Sequence, residues 1–467
     1  MSVTSSASDS LSPGLKSRHI RMLSIAGVIG AGLFVGSGHA IAEAGPAVLI
    51  AYIIAGGLVV LIMRMLAEMA VSTPDSGSFS TYAQKALGRW AGFTIGWLYW
   101  WFWVLVIPLE ANAAATILNS WFPQVAIWQF TLVSTLLLTA SNLFSVKHYG
   151  EFEFWLALVK VVAIVAFLVL GCVAIFGLMP GSQVSGMSHL YDTDGFMPHG
   201  FGAVLAAILT TMFSFMGTEI VTIAAAESKN PGREISRATN SVIWRISLFY
   251  LLSILFIVSL VPWNTPALAK NGSYQTVLEL MNIPHARLIV DIVVLTAVCS
   301  CLNSALYTSS RMLYSLATRK DAPAAAAKTN KGGTPWVAVL SSTAAAFLAV
   351  FANYFAPAEV FDFLLASSGA IALLVYLVIS CSHLVMRKRM EARGEALDYR
   401  MWLFPGLTYA VIVVIVGILC SMLFMPAHRS EIIATGILAL LVVLAGLVIH
   451  RRQRNNRSHS SLQENGI

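Results

Sequence analysis

Three ionisable residues of this 467-residue chain sit inside apolar stretches: Glu110 in VIPLEANAAA, Lys160 in FWLALVKVVAIVAF and Glu219 in FSFMGTEIVT. A carboxyl or amine in such surroundings can bind and release a proton, or hold a group of opposite charge. The plainer role of each is a hydrogen-bonded packing group, and a lysine can also snorkel toward a polar edge. A second source of chemistry is backbone. The stretch GVIGAGLFVG, residues 27–36, has four glycines in ten positions. Glycine weakens a helix and exposes its amides. A freed N–H at the start of a helix attracts an anion. The second such place is Gly217, two residues before Glu219.

The elements that must position these groups follow from composition. The chain is 57% hydrophobic and only 11% charged, with a mean hydropathy of +0.76. That is too little charge to cover a soluble protein of this size, so the class is a polytopic membrane protein. The apolar runs reach about twenty residues, the length that crosses ~30 Å of hydrocarbon as helix. They do not alternate as barrel strands do, so the fold class is all-α. About twelve spans are expected, near 20–42, 46–70, 92–119, 126–145, 152–178, 203–226, 240–262, 286–315, 336–355, 360–386, 402–425 and 430–450.

Basic residues orient the spans. Lys16, Arg18 and Arg21 precede the first; Lys85, Arg89, Lys147, Lys229, Arg233, Arg237, Arg319, Lys320, Lys328, Lys331, Arg387, Lys388, Arg389, Arg393 and Arg400 fall in alternate connections; Arg451, Arg452, Arg454 and Arg457 follow the last. The intervening connections hold only Lys270, Arg287 and Arg429. By the positive-inside rule both termini are cytoplasmic. The net charge of +7 is therefore loop bias, not a nucleic-acid surface, and the basic C-terminus can touch anionic lipid. MSVTSSASDSLSPG lacks an apolar core with a cleavage site and reads as a cytoplasmic tail.

In lipid, non-helical backbone is tolerated only where protein buries it or a cavity adjoins it. Two interrupted spans, the first and the sixth, point to a binding site at the midplane of a carrier built from repeats. GAGLFVG is not a phosphate loop, because no strand precedes it. Close helix packing by small residues is the alternative use of these glycines. A charge at the bilayer centre costs ~2.5–3.5 kcal/mol, so each asks for a reason. Lys160 lies roughly 12 Å inside its helix at 1.5 Å per residue. Other charges have simpler expectations. Arg64 and Glu68, four apart, read as an ion pair. Glu151 and Glu153 suit a helix N-terminus. The run WLYWWFW, Trp97 to Trp103, reads as belt or packing. No metal site is expected: there is no HExxH pair, and Cys299 and Cys301 point to different helix faces.

The stretches GVIGAGLFVGSGHAIAEAGPA, RMLAEMAVSTPDSGSFSTYA, GEFEFWLALVKVVAI, FSFMGTEIVTIAAAESKNP and NSALYTSSRMLYSLA resemble, in order, the signatures of bacterial amino acid permeases of the amino acid–polyamine–organocation superfamily. The resemblance runs from about Leu15 to His450. Within it, GRWAGFTIGWLYWWFWVLVIPLEAN, GFMPHGFGAVL, ATNSVIWRIS and SSGAIALLVYLVIS are similar to the γ-aminobutyrate permeases.

That likeness implies a leucine-transporter-like fold of two five-helix inverted repeats plus two added helices, with helices one and six unwound. The corresponding units are a tail 1–19, a first repeat 20–178, a second repeat 203–386, two helices in 402–450 and a basic tail 451–467. It also implies a bacterial cytoplasmic membrane and proton-coupled uptake of γ-aminobutyrate, without a cofactor. Ile29, Gly30, Ala31 and Gly32 would bind the substrate carboxylate, and Phe213, Ser214 and Met216 the amine, with Phe213 as an aromatic gate. Glu110 would face the pocket. Lys160 matches a lysine whose amine replaces a sodium ion, and Glu219 a proton-sensing acid. Ala31 stands where many relatives have a hydroxyl, which leaves the carboxylate to backbone N–H groups. The rival readings are an α-amino acid permease or exchanger, and a non-transporting nutrient sensor.

Overall fold

The computed structural model describes residues 18, 19, 22, 29–75, 77–143, 146–222, 230–330, 332–355, 357–426 and 429–464. Among these residues the chain is helix and turn, with no strand. A π-helical turn, Gly32–Gly36, leads into α1 (Ser37–Ala44). The following helices are α2 (Val48–Ser72), α3 (Ser78–Leu87), α4 (Arg89–Trp121), α5 (Ile127–Asn142), α6 (Val146–Ile175), α7 (Gly200–Phe215), α8 (Pro231–Arg245), α9 (Ser253–Leu260), α10 (Pro266–Asn271), α11 (Ser273–Leu280), α12 (Ala286–Thr318), α13 (Trp336–Phe355), α14 (Pro357–Ala392), α15 (Gly406–Met422) and α16 (Arg429–Glu464). Eight helical runs of the described residues are long and apolar enough to cross a membrane, and two shorter apolar helices accompany them.

The elements fall where the apolar runs place them, with physical reasons for the differences. Gly45, at φ +64°, ends α1 and turns the chain through Pro46 into α2, a conformation that only glycine adopts freely. The sixth expected span, 203–226, is helical to Phe215 and then breaks. The seventh starts earlier, at Pro231, and reaches Leu260 through a π-helical stretch, Ile246–Leu252. The last helix continues through the basic segment as far as Glu464, since arginine and glutamine are good helix formers. The first half of span one, Gly27 included, lies outside the described residues apart from Met22.

Two helices form the interior. α4 packs against α3, α5, α12, α13, α14 and α16, and α7 is enclosed by α1, α2 and α14. α6 and α16 lie at the periphery and turn apolar side chains outward, among them Val162, Val165 and Val169 on α6 and Leu440, Leu441 and Leu444 on α16. Such faces suit lipid, where apolar exposure carries no cost. Close backbone approach replaces bulky packing at α1, where a Cβ on Gly38 would lie 1.9 Å from the Leu268 carbonyl oxygen of α10.

The expected Arg64–Glu68 ion pair does not form. Glu68 instead forms an ion pair with Arg387 at 3.0 Å, lies 3.3 Å from His383 of α14, and accepts the Met401 N–H at 2.6 Å. Arg64 lies over the Trp402 and Tyr399 rings and donates to the Arg400 carbonyl at 2.8 Å. A fully desolvated carboxylate is better satisfied by several buried donors than by one half-exposed arginine. Burial pushes the Tyr399 hydroxyl above the ordinary tyrosine range.

Candidate functional site

The first break begins at Ile29 and Gly30, which are not helical. The Ile29 carbonyl accepts a hydrogen bond from Lys160 Nζ at 3.1 Å. The Ala31 N–H donates to both oxygens of Glu110, at 3.0 and 3.2 Å. Glycine is needed here for closeness. A Cβ on Gly30 would lie 2.6 Å from Glu110 Oε1 and 2.7 Å from Cys301 Cβ, and one on Gly32 would lie 2.9 Å from Ser214 Cα. The Ser214 hydroxyl donates to the Gly32 carbonyl at 2.8 Å and ties the first break to α7.

The second break follows Phe215. Met216 is extended, with ψ 145°, and Gly217 has φ +97°. Both oxygens of Glu219 accept the Gly217 N–H at 3.1 Å. The Tyr99 hydroxyl donates to Glu219 Oε1 at 2.9 Å and that of Tyr376 to Oε2 at 3.4 Å. Arg245 donates to the Thr218 hydroxyl in the same turn. At each break an amide is thus met by a buried carboxylate of the protein's own. The freed N–H groups supply the positive dipole end expected of half-helices.

A cavity separates the breaks. Its walls are Gly30, Gly32, Phe102, Trp103, Val106, Glu110, Phe213, Ser214, Met216 and Cys301. The space open to the centre of a water-sized sphere is ≈ 10 Å³, about enough for one water. A larger cavity of ≈ 480 Å³ by the same measure lies beyond Phe34, bounded also by His39, Asn112, Thr116, Lys270, Gln275 and Asp291.

Behind the first break is a fully buried polar cluster. Lys160 donates to the Ser300 hydroxyl at 2.7 Å, and that hydroxyl donates to Glu153 Oε1. Lys160 Nζ and Glu153 Oε1 are 3.9 Å apart, beyond direct hydrogen-bond reach. Close by, Asn142 donates to Asn303 at 2.7 Å. A buried cation is tolerable only with such partners.

Most residues singled out from sequence converge here. Glu110, Gly30, Gly32, Phe213, Ser214 and Met216 line the cavity, and Ile29 and Ala31 contribute backbone groups. Lys160 and Glu219 stand behind the walls, one at each break. Two expectations change. Neither Glu151 nor Glu153 caps a helix start, since α6 begins at Val146; Glu153 turns inward, and Glu151 lies at the surface, paired with Arg18 at 2.5 Å and His19 at 3.0 Å. The aromatic run is split, with Phe102 and Trp103 walling the cavity. Tyr99, Tyr376 and Ser300 join the site unannounced. Glu153 carried a readable signal, since seven residues before Lys160 is two turns and the same helix face.

The profile of the amino acid permease family matches residues 19–461. The "Probable GABA permease" of Pseudomonas aeruginosa is 66% identical over 445 residues, 95% of this chain and 94% of that one. The "Gamma-aminobutyric acid permease" of Escherichia coli K12 is 68% identical over 439 residues, 94% of each chain. The permease of the same name from Bacillus subtilis is 52% identical over 445 residues, 95% of each chain. Among solved structures, a crystal structure of the Eremococcus coleocola manganese transporter superposes with a TM-score of 0.56 at 14% identity, covering 96% of this chain and 97% of that one. At that identity the likeness is one of fold. The relatives are named as permeases and transporters, in keeping with a carrier and not an enzyme. The chain belongs to the amino acid permease family and is a multi-pass membrane transporter.

Proposed function

We propose that this permease carries γ-aminobutyrate inward together with one proton, across the bacterial cytoplasmic membrane with both termini inside, by rocking two inverted repeats around the paired breaks. The observation that carries the reading is the pair of broken helices at one small cavity, with an amide at each break that bonds a carboxylate and not a helix carbonyl. The names of relatives at 66% and 68% identity support the substrate.

In this reading the substrate carboxylate takes the Ala31 N–H. That amide already holds the Glu110 carboxylate, which stands in for the substrate's own end group. Two carboxylates on one amide repel, so Glu110 must swing off or take up a proton as substrate enters. The ammonium meets carbonyl oxygens of Phe213, Ser214 and Met216. A four-carbon amino acid exceeds the space for one water, so the cavity must widen on binding. Phe102, Trp103 and Phe213 restrict the width and favour a slim unbranched chain.

Lys160 couples the proton. As ammonium it bonds the Ile29 carbonyl and fixes the first break; as neutral amine it loosens that hold. A net-neutral zwitterion moving with one proton carries one charge, so 100 mV supplies ~2.3 kcal/mol, or about fiftyfold accumulation. Uptake of labelled γ-aminobutyrate into liposomes holding the purified chain, with and without an imposed proton gradient, tests this. Gradient-dependent accumulation is expected. Uptake that ignores the gradient assigns exchange, and uptake of α-amino acids alone overturns the substrate.

A further inference from the structure

The Lys160 cluster leads away from the cavity as well as toward it. Lys160, Ser300 and Glu153 are all fully buried. Their hydrogen bonds run in one sense, the ammonium donating to the Ser300 hydroxyl and that hydroxyl to the carboxylate. A chain of donors aligned in this way can pass a proton. Glu153 lies seven residues nearer the start of α6, roughly 10 Å along its axis. Two residues before it, Glu151 is already at the surface with Arg18 and His19. The charge pattern of the loops assigns that end of α6 to the cytoplasm.

We propose that Glu153 is the inner proton acceptor of the transport cycle, relieving Lys160 of its proton through Ser300 and passing it toward the cytoplasmic surface. This rests on Lys160 carrying the coupled proton. In the step, an N–H bond of the Lys160 ammonium breaks as Ser300 Oγ takes the proton, and the Ser300 O–H bond breaks as Glu153 Oε1 takes the other. The serine is restored, the amine and the carboxyl are both neutral, and no net charge has been created. The carboxyl then gives its proton to cytoplasmic water and becomes an anion again, which favours return of a proton to Lys160 from the cavity side. The other groups that face Lys160 are the Glu110 carboxyl on α4 and the Cys301 thiol on α12. Glu110 lines the cavity, so it stands on the loading side. Asn303 of α12 faces Glu153 and supplies no proton at all.

The test uses the full chain in liposomes loaded with a pH-sensitive dye, reading substrate-coupled proton entry, gradient-driven accumulation and γ-aminobutyrate counterflow together. Counterflow needs no net proton release; accumulation does. Glu153→Gln is expected to reduce accumulation from about fiftyfold per 100 mV toward onefold, while counterflow falls far less. Ser300→Ala should do the same, and Ser300→Thr, which restores a hydroxyl, should recover accumulation. Equal losses in both modes would make Glu153 a packing group and overturn the proposal, as would normal accumulation in Ser300→Ala. Should the unmutated protein move γ-aminobutyrate with no proton entry, the coupling reading itself fails, a result distinct from either.

Discussion

Gly32 offers the sharpest perturbation of the site, because its missing side chain lets the first break lie directly against the end of α7. A methyl group on it would lie 2.9 Å from Ser214 Cα, 3.0 Å from Ser214 Oγ and 3.1 Å from Phe213 Cδ1. Ordinary contact begins near 3.4 Å, so Gly32→Ala must part the walls by about half an ångström. The first neighbour met is backbone, which cannot rotate aside. Overpacking of this kind costs about 1–3 kcal/mol. A displacement near 1 Å between binding partners loses roughly 10²-fold in rate, so half of that corresponds to about tenfold in kcat/KM. The assay is initial-rate uptake of labelled γ-aminobutyrate over a concentration series, with thermal stability of the purified protein alongside. Gly57→Ala is the control, since a Cβ there meets nothing within 4 Å and the position is mid-helix. An unchanged kcat/KM in a folded Gly32→Ala protein would refute the claim that these two segments jointly form the site.

Further outcomes follow from the same geometry. Lys160→Ala should abolish proton-driven accumulation in liposomes while some exchange persists, and unchanged accumulation would remove Lys160 from coupling. Glu219→Gln keeps one acceptor oxygen, enough for the Gly217 N–H and one of the two tyrosine hydroxyls, but cannot lose a proton, so the pH profile of uptake should flatten; an unaltered profile counts against its titrating there. Glu110→Gln removes the carboxylate that competes for the Ala31 N–H, and the KM measured across pH should then vary less than in the unmutated protein. Gly38→Ala drives a Cβ against the Leu268 carbonyl at 1.9 Å, and a loss of about 2 kcal/mol or more in stability is expected from overpacked backbone, read as a fall in thermal midpoint.

Much of this architecture is legible in the sequence because lipid imposes one period and one length on every span. The glycines of residues 27–36, the pair Gly217 and Glu219, and the lone Lys160 announce the site because a membrane interior punishes each of them. What sequence misses is who answers. Arg64 and Glu68 are four apart, yet tertiary donors from α14 and the loop after it take the carboxylate. Local spacing says nothing about competitors from distant segments. Glu153 reads as a helix-start charge until the roll of α6 places it beside Ser300. Tyr99 and Tyr376 look like any span aromatics until both reach Glu219. The glycines allow two uses from sequence, unwinding and close approach, and at Gly30 and Gly32 the missing Cβ serves close approach at the break itself.

A structure of the protein with γ-aminobutyrate bound tests the central claim most directly. The expected result is the substrate carboxylate within about 3 Å of the Ala31 amide, Glu110 turned away from it, and the ammonium against carbonyls of the second break. Substrate seated instead in the ≈ 480 Å³ cavity beyond Phe34, with Glu110 still holding that amide, would contradict it.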